Sequence, residues 1–281
     1  VRGTHRRVKK VSSKIAKALR ISGPFNIQYM CKDNEVKVIE CNLRASRTFP
    51  FISKTFNVNL IELATKVMLG QIVRPEKIHP VDLGFVGCKV PVFSFNRLKN
   101  SDPRLGVEMQ STGEVACYGM NKYEAYLKGL VSSGFKLPEK NILLSVGQTQ
   151  DKTELSHVIH YLIDMGFQLY CTKGTHEFFK KELEQMGYDS WNGILVHKPH
   201  VKKSPNVTEL IQGGKIDLVI NVPDSMDSQG VTDGFKIRRL AVDSSVSLLN
   251  DVKNTRLFIE AMYRKWQRES AGKQFWGIDS W

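Results

Sequence analysis

The sequence predicts an α/β protein built in two parts, and two observations carry that prediction. From residue 141 onward, short apolar runs alternate with amphipathic helical stretches, the rhythm of a parallel sheet wrapped by helices. Ahead of it, around residues 25–50, two β-rich runs flank the turn-like pair Asp33-Asn34, and the second run ends in a carboxylate, an amide and two arginines. With 281 residues the chain is long enough for two cores of about 100 to 200 residues each.

In order, Val8, Val11, Ile15 and Leu19 form an apolar stripe at helical spacing. Residues 1–32 hold no Asp or Glu, and the first twenty are rich in Arg, Lys and Ser, which superficially matches an organelle transit peptide. The stripe argues for an amphipathic helix instead, and the missing initiator methionine suggests a piece of something longer. Phe25 to Met30 then reads as a strand, and Val36, Val38 and Ile39 as a buried-looking second one. If Lys32 pairs with Val36 across a three-residue turn, Gln28 lies opposite Glu40; a two-residue turn would spoil that register. Glu40 and Asn42, two apart, share a face. One carboxylate and a neutral amide oxygen suit magnesium, and Arg44 and Arg47 suit phosphate oxygens. The same residues also fit an edge hairpin whose polar end merely meets solvent.

Asn59 with Glu62 predicts a capped helix striped by Leu60, Leu63, Ala64, Val67 and Met68 and stopped at Gly70. Pro75 and Pro80 mark a connection, 84–95 a strand, 96–105 a charged loop, and 121–134 a capped helix with Glu124 completing the box and Leu127, Leu130 and Val131 facing inward. Residues 135–140 read as a boundary. Strands follow at 142–146, 168–172, 216–221 and 240–249. The intervening helices are one capped by Asp151 to Glu154 with the stripe Leu155, Val158, Ile159, Leu162 and Ile163, then 177–186, 207–212 and 253–268. In such sheets ligands gather at the carboxyl ends of strands. Thr172-Lys173-Gly174-Thr175 closes one strand and opens a helix, offering hydroxyls, a cation and unpaired N–H groups to an anion. Thr175 also fits a plain N-cap.

The formal charge of +13 raises the question of nucleic acid, but the basic residues are scattered and no nucleic-acid-binding motif accompanies them, so no nucleic-acid partner is expected. Small anions account for part of the excess. No apolar run reaches the roughly 20 residues of a spanning helix, so no membrane partner is expected either. Cys31, Cys41, Cys88, Cys117 and Cys171 show no metal-ligand spacing and read as reduced structural residues. His157 and His160, like His197 and His200, are spaced HxxH without a third ligand and read as surface histidines.

Gly23 to Gln28, Val38 to Arg47 and Phe51 to Lys54, continued by Ser111 to Val115, resemble the end of the second ATP-grasp domain of carbamoyl-phosphate synthetase. The resemblance implies that Gln28, Glu40 and Asn42 hold Mg2+ or Mn2+ on ATP, and that Arg44 and Arg47 serve phosphate transfer to carbamate.

Residues 139–263, with landmarks Val219 to Asn221, Ile237 to Arg239 and Ala241 to Ser244, resemble the methylglyoxal-synthase-like regulatory domain of the same family. The flavour is that of the ammonia-using, acetylglutamate-activated branch. This implies a C-terminal part of an ATP-grasp domain (1–138), a Rossmann-like allosteric domain (139–263) and an unassigned tail (264–281) holding Trp266, Trp276 and Trp281. It also implies a mitochondrial matrix location, otherwise a cytoplasmic one, a missing N-terminal part of the synthetase, inactivity of the fragment alone, and contacts to N-acetylglutamate or a related anionic effector at Thr172, Lys173, Thr175, Trp191 and Asn221. Asp224 and Asp233 depart from the branch's asparagines, and Ser228 from its lysine. A carboxylate near an acidic effector repels it by roughly 1 kcal/mol at exposed range. A non-catalytic metabolite-binding module is the alternative reading; methylglyoxal synthase activity is disfavoured because the landmarks follow the synthetase.

Overall fold

The computed structural model describes residues 2–74, 83–106, 108–224 and 232–277; Pro75, Pro80, Ser228 and Trp281 lie outside them. Packing divides the chain into two compact units, Val1–Gly84 and Phe85–Trp281.

In the first unit, α1 (Arg2–Ala18) packs on the hairpin of β1 (Asn26–Lys32) and β2 (Glu35–Asn42). Val8, Val11 and Ile15 are half-buried as the stripe requires, whereas Leu19 falls beyond the helix and is exposed. The hairpin turn has two residues, not three: Lys32 pairs with Glu35, and Asp33 and Asn34 both take positive φ, 49° and 64°, as a tight primed turn demands. The Asn34 carboxamide oxygen accepts from the Thr4 hydroxyl at 2.9 Å, fastening the turn to α1. β2 is not buried as expected: with α1 as its cover, Ile39 stays 56% exposed. Then α2 (Thr48–Phe56), unforeseen from the sequence, is followed by α3 (Leu60–Met68). The Asn59 side chain accepts from the Glu62 N–H at 3.0 Å, as its cap position predicts.

The second unit begins with the antiparallel pair β3 (Val86–Val92) and β4 (Gly113–Gly119), packed on α4 (Lys122–Ser132). A single 3₁₀ turn, Phe95–Arg97, opens the connection between the two strands. Leu127 is fully buried but Val131 is 47% exposed, because the helix turns it away from the sheet. Glu124 is buried and accepts from the Met120 N–H and the Gly277 N–H, each at 2.7 Å.

Next come β5 (Asn141–Val146), α5 (Thr149–Asp164), β6 (Gln168–Thr172), α6 (Lys173–Gln185), β7 (Ile194–Val196), α7 (Val207–Gln212), β8 (Leu218–Val222), α8 (Asp233–Asp243), β9 (Ser247–Leu249) and α9 (Val252–Ser270). The strands form one parallel sheet in the order β7-β6-β5-β8-β9. The strand expected over 240–249 starts in the end of α8 and is strand only over the three residues of β9, because Ile237 and Ala241 bury one helical face. α5 starts at Thr149, ahead of the expected cap.

The expected module boundary at 138/139 falls inside this unit. The Ser247 hydroxyl accepts from the Lys136 N–H at 2.9 Å and donates to the Lys136 carbonyl at 2.8 Å, and the Tyr126 hydroxyl donates to the Asn254 carbonyl at 3.3 Å. The unassigned tail is partly structured as well: α9 runs to Ser270, and beyond it Phe275 is buried.

Candidate functional site

Two groups of residues gather chemistry, one in each unit. In the first, Gln28 pairs with Glu40 and Asn26 with Asn42. A two-residue turn alone would have misaligned them. A bulge corrects the register: Tyr29 pairs with Val38 and Gln28 with Glu40, leaving Ile39 as the extra residue. Gln28, Glu40 and Asn42 therefore occupy one face at the open end of the hairpin.

The Asn42 amide donates to Glu40 Oε1 at 2.9 Å, which turns the Asn42 carboxamide oxygen outward beside Glu40. No group of three or more His, Cys, Asp or Glu residues suited to a metal occurs among the described residues. One carboxylate with two amide oxygens instead fits magnesium shared with phosphate, which keeps few protein ligands. Arg44 and Arg47 follow on the exposed segment leading into α2.

The second group lies at the carboxyl ends of β5, β6 and β8, where strand order reverses around β5. A cavity of about 390 Å³ opens there, lined among others by Lys152, Thr172, Thr175, Lys198, Asn221 and Asp224. Thr175 is not an N-cap. It sits inside α6, buried, and its hydroxyl accepts from the Val146 N–H at 3.0 Å and lies 3.3 Å from the Thr172 hydroxyl. Gly147 follows β5, and a Cβ there would meet the Asp224 backbone nitrogen at 2.8 Å. Gly147→Ala is therefore expected to part the ends of β5 and β8 and to cost about 1–3 kcal/mol, read as a lower denaturant midpoint together with weaker anion binding.

Three of the five expected effector contacts, Thr172, Thr175 and Asn221, share the cavity; Lys173 and Trp191 do not line it. Lys173 is exposed on the first turn of α6. The Trp191 indole donates to His176 Nε2 at 3.2 Å and packs against Phe179. In their place the cavity takes Lys152, from the first turn of α5, and Lys198, two residues beyond β7. Both escaped the sequence reading, Lys198 because a three-residue strand leaves little pattern. Burial lowers the pKa of Lys152, with Lys198 adding to the effect and Asp224 opposing it.

Asp233 and Asp224 both line the cavity. Asp233 pairs with His200 Nδ1 at 2.6 Å and Asp224 accepts from the Gln148 amide at 3.3 Å, so each carboxylate already has a local partner. His160 is not simply a surface residue either: it packs against Tyr161 and Tyr188, and burial lowers its pKa.

Comparison with known proteins agrees with this division. Residues 154–250 match the family of the MGS-like domain, and residues 3–86 match that described as ATP-grasp in the biosynthetic pathway with Ter operon. The chain is 47% identical over 270 residues to multifunctional protein URA2 of Saccharomyces cerevisiae, covering 92% of this chain and 12% of that protein. It is 45% identical over 276 residues to multifunctional protein CAD of Squalus acanthias, at 92% and 12% coverage. To carbamoyl-phosphate synthase [ammonia], mitochondrial, of Homo sapiens it is 42% identical over 267 residues, at 93% and 18%. The chain thus spans less than a fifth of each of these relatives. The α/β fold with an ATP-grasp end and an MGS-like domain is the one the sequence predicts.

Proposed function

We infer that this chain is the C-terminal region of a carbamoyl-phosphate synthase of the large-subunit type, working as part of a longer protein whose remaining parts complete the ATP site. The observation that carries the reading is the bulged hairpin register that sets Gln28 opposite Glu40 with Asn42 beside it. In this role Gln28, Glu40 and Asn42 hold Mg2+, or Mn2+, against the phosphates of ATP. The metal supplies charge neutralisation on the transferring group. A carbamate oxygen attacks the γ-phosphorus, the bond to the β–γ bridging oxygen breaks, and ADP departs. Arg44 and Arg47 balance charge on the phosphoryl oxygens as it spreads.

The cavity at the strand ends takes an anionic effector. N-acetyl-L-glutamate is one reading, resting on Thr172, Thr175 and Asn221. Lys152 and Lys198 at the cavity, with Trp191 outside it, favour a phosphate-bearing effector instead. The relatives comprise multifunctional proteins at 47% and 45% identity and an ammonia-type enzyme at 42%. These values select neither the ammonia branch, the mitochondrial matrix nor the urea cycle over pyrimidine metabolism.

The test is calorimetric titration of the full chain with UMP and, separately, N-acetyl-L-glutamate. Saturable UMP binding that is lost in Thr175→Ala is expected. Binding of neither compound by folded protein would remove the effector assignment.

The pH dependence follows from Lys152. Its amine loses its proton below the usual lysine range in the free protein, and a bound anion favours the charged form, so binding takes up a proton at alkaline pH. Affinity is expected to be full below the lowered pKa and to fall as pH rises through it. In Lys152→Arg the fall should vanish from the accessible alkaline range.

A further inference from the structure

We propose that Asp102, in the connection between β3 and β4, is a positioning residue for the effector cavity, acting through Arg238 to hold Asn221 as a hydrogen-bond donor. The inference deepens the effector reading above and rests on it. Arg238 lies on α8 with its side chain 1% exposed, and its guanidinium is shared between two partners. Nε and Nη2 grip the two Asp102 carboxylate oxygens at 2.8 and 2.5 Å, while Nη1 donates to Asn221 Oδ1 at 2.8 Å. A guanidinium has donors only, so the Asn221 oxygen must face it. The Asn221 amide nitrogen is thereby turned the other way, donating to the Ser145 carbonyl at 3.2 Å. Its second N–H is left for the cavity that Asn221 lines.

The orientation has chemical consequence because a carboxamide is symmetric in shape and opposite in polarity at its two ends. Flipped, Asn221 would offer an oxygen to an anion and repel it. What prevents the flip is a charge buried at α8, and what keeps that charge in place is Asp102, whose own side chain is 33% exposed. A lysine could not replace the fork, since one ammonium does not span a bidentate carboxylate and an amide together.

The segment bearing Asp102 is itself fastened to the same helix. Arg239 Nη1 donates to the carbonyls of Phe95, Leu98 and Ser101 at 3.0–3.1 Å. The Asn250 amide donates to the Pro103 carbonyl at 2.9 Å. Anion binding that tightens Asn221 must therefore also tighten residues 95–103, and by linkage loosening that segment must weaken the anion.

The experiment is UMP titration of the full chain, its Asp102→Asn and Asp102→Glu variants, with amide hydrogen exchange of the wild type with and without UMP. Asp102→Asn is expected to weaken UMP about tenfold and Asp102→Glu to recover part of the loss. UMP is expected to slow exchange at residues 95–102 as well as at 145–147 and 173–175. Should Asp102→Asn prove unstable, the exchange arm decides alone. Unchanged affinity in a folded Asp102→Asn, or slowing confined to 145–147 and 173–175, would overturn the proposal while leaving the effector site standing. A wild type that binds no UMP would remove the phosphate-bearing effector reading and this inference with it.

Discussion

Glu40→Gln in the full-length protein is expected to cut ATP-dependent carbamoyl phosphate formation by about 10²- to 10³-fold, the size of loss seen when one preorganised electrostatic contact to a transferring group is removed. Glu40 is the one carboxylate of its cluster, and Asn42 already donates to it at 2.9 Å. Glutamine keeps the shape and a neutral oxygen while removing the charge that, in the proposed role, would face a divalent cation. The variant should therefore fold normally, need more Mg2+ to reach its reduced maximum, and bind UMP at the cavity like the parent. Full activity in Glu40→Gln would point to the alternative of a metabolite-binding module.

Phe179→Ala should remove about 3–5 kcal/mol of stability. Phe179 is fully buried on α6, between the sheet and Trp191. Its loss leaves a void that a packed core closes only in part. The same helix presents Thr175 to the end of β5 through the bond to Val146 at 3.0 Å, so loosening it should also blunt anion binding. Phe179→Leu should cost less of both. Chemical denaturation of the full chain measures the first effect and UMP titration the second.

Much of this architecture was legible because its causes are local. Asn59 and the stripe around Leu155 and Ile159 announce their helices through side chains a turn apart, and β6 and α7 fall at the expected 168–172 and 207–212. Gln28 and Glu40 were paired on the wrong premise: the turn is tighter than expected, and a bulge, which leaves no mark in hydrophobic periodicity, restores the register. The end of α8 was misread as strand because Leu240, Ala241 and Val242 are apolar in a row, and only burial of Ile237 and Ala241 settles the helix.

At the cavity the strand-end rule found Thr172 and Thr175, and Asn221 came by resemblance, but neither reached Lys152 or Lys198, which a search after every parallel strand would have included. Trp191 was carried over by resemblance, and its ring is committed to His176 and Phe179. The Arg238 link to Asp102 joins residues 136 apart in sequence, which no local pattern encodes.

The role proposed for the hairpin end is phosphoryl transfer to carbamate. Its most direct test is the reverse half-reaction in the full-length protein, ATP synthesis from ADP and carbamoyl phosphate with Mg2+. This activity is expected to collapse in Glu40→Gln and to persist in Thr175→Val. Wild-type ATP synthesis in Glu40→Gln would contradict it.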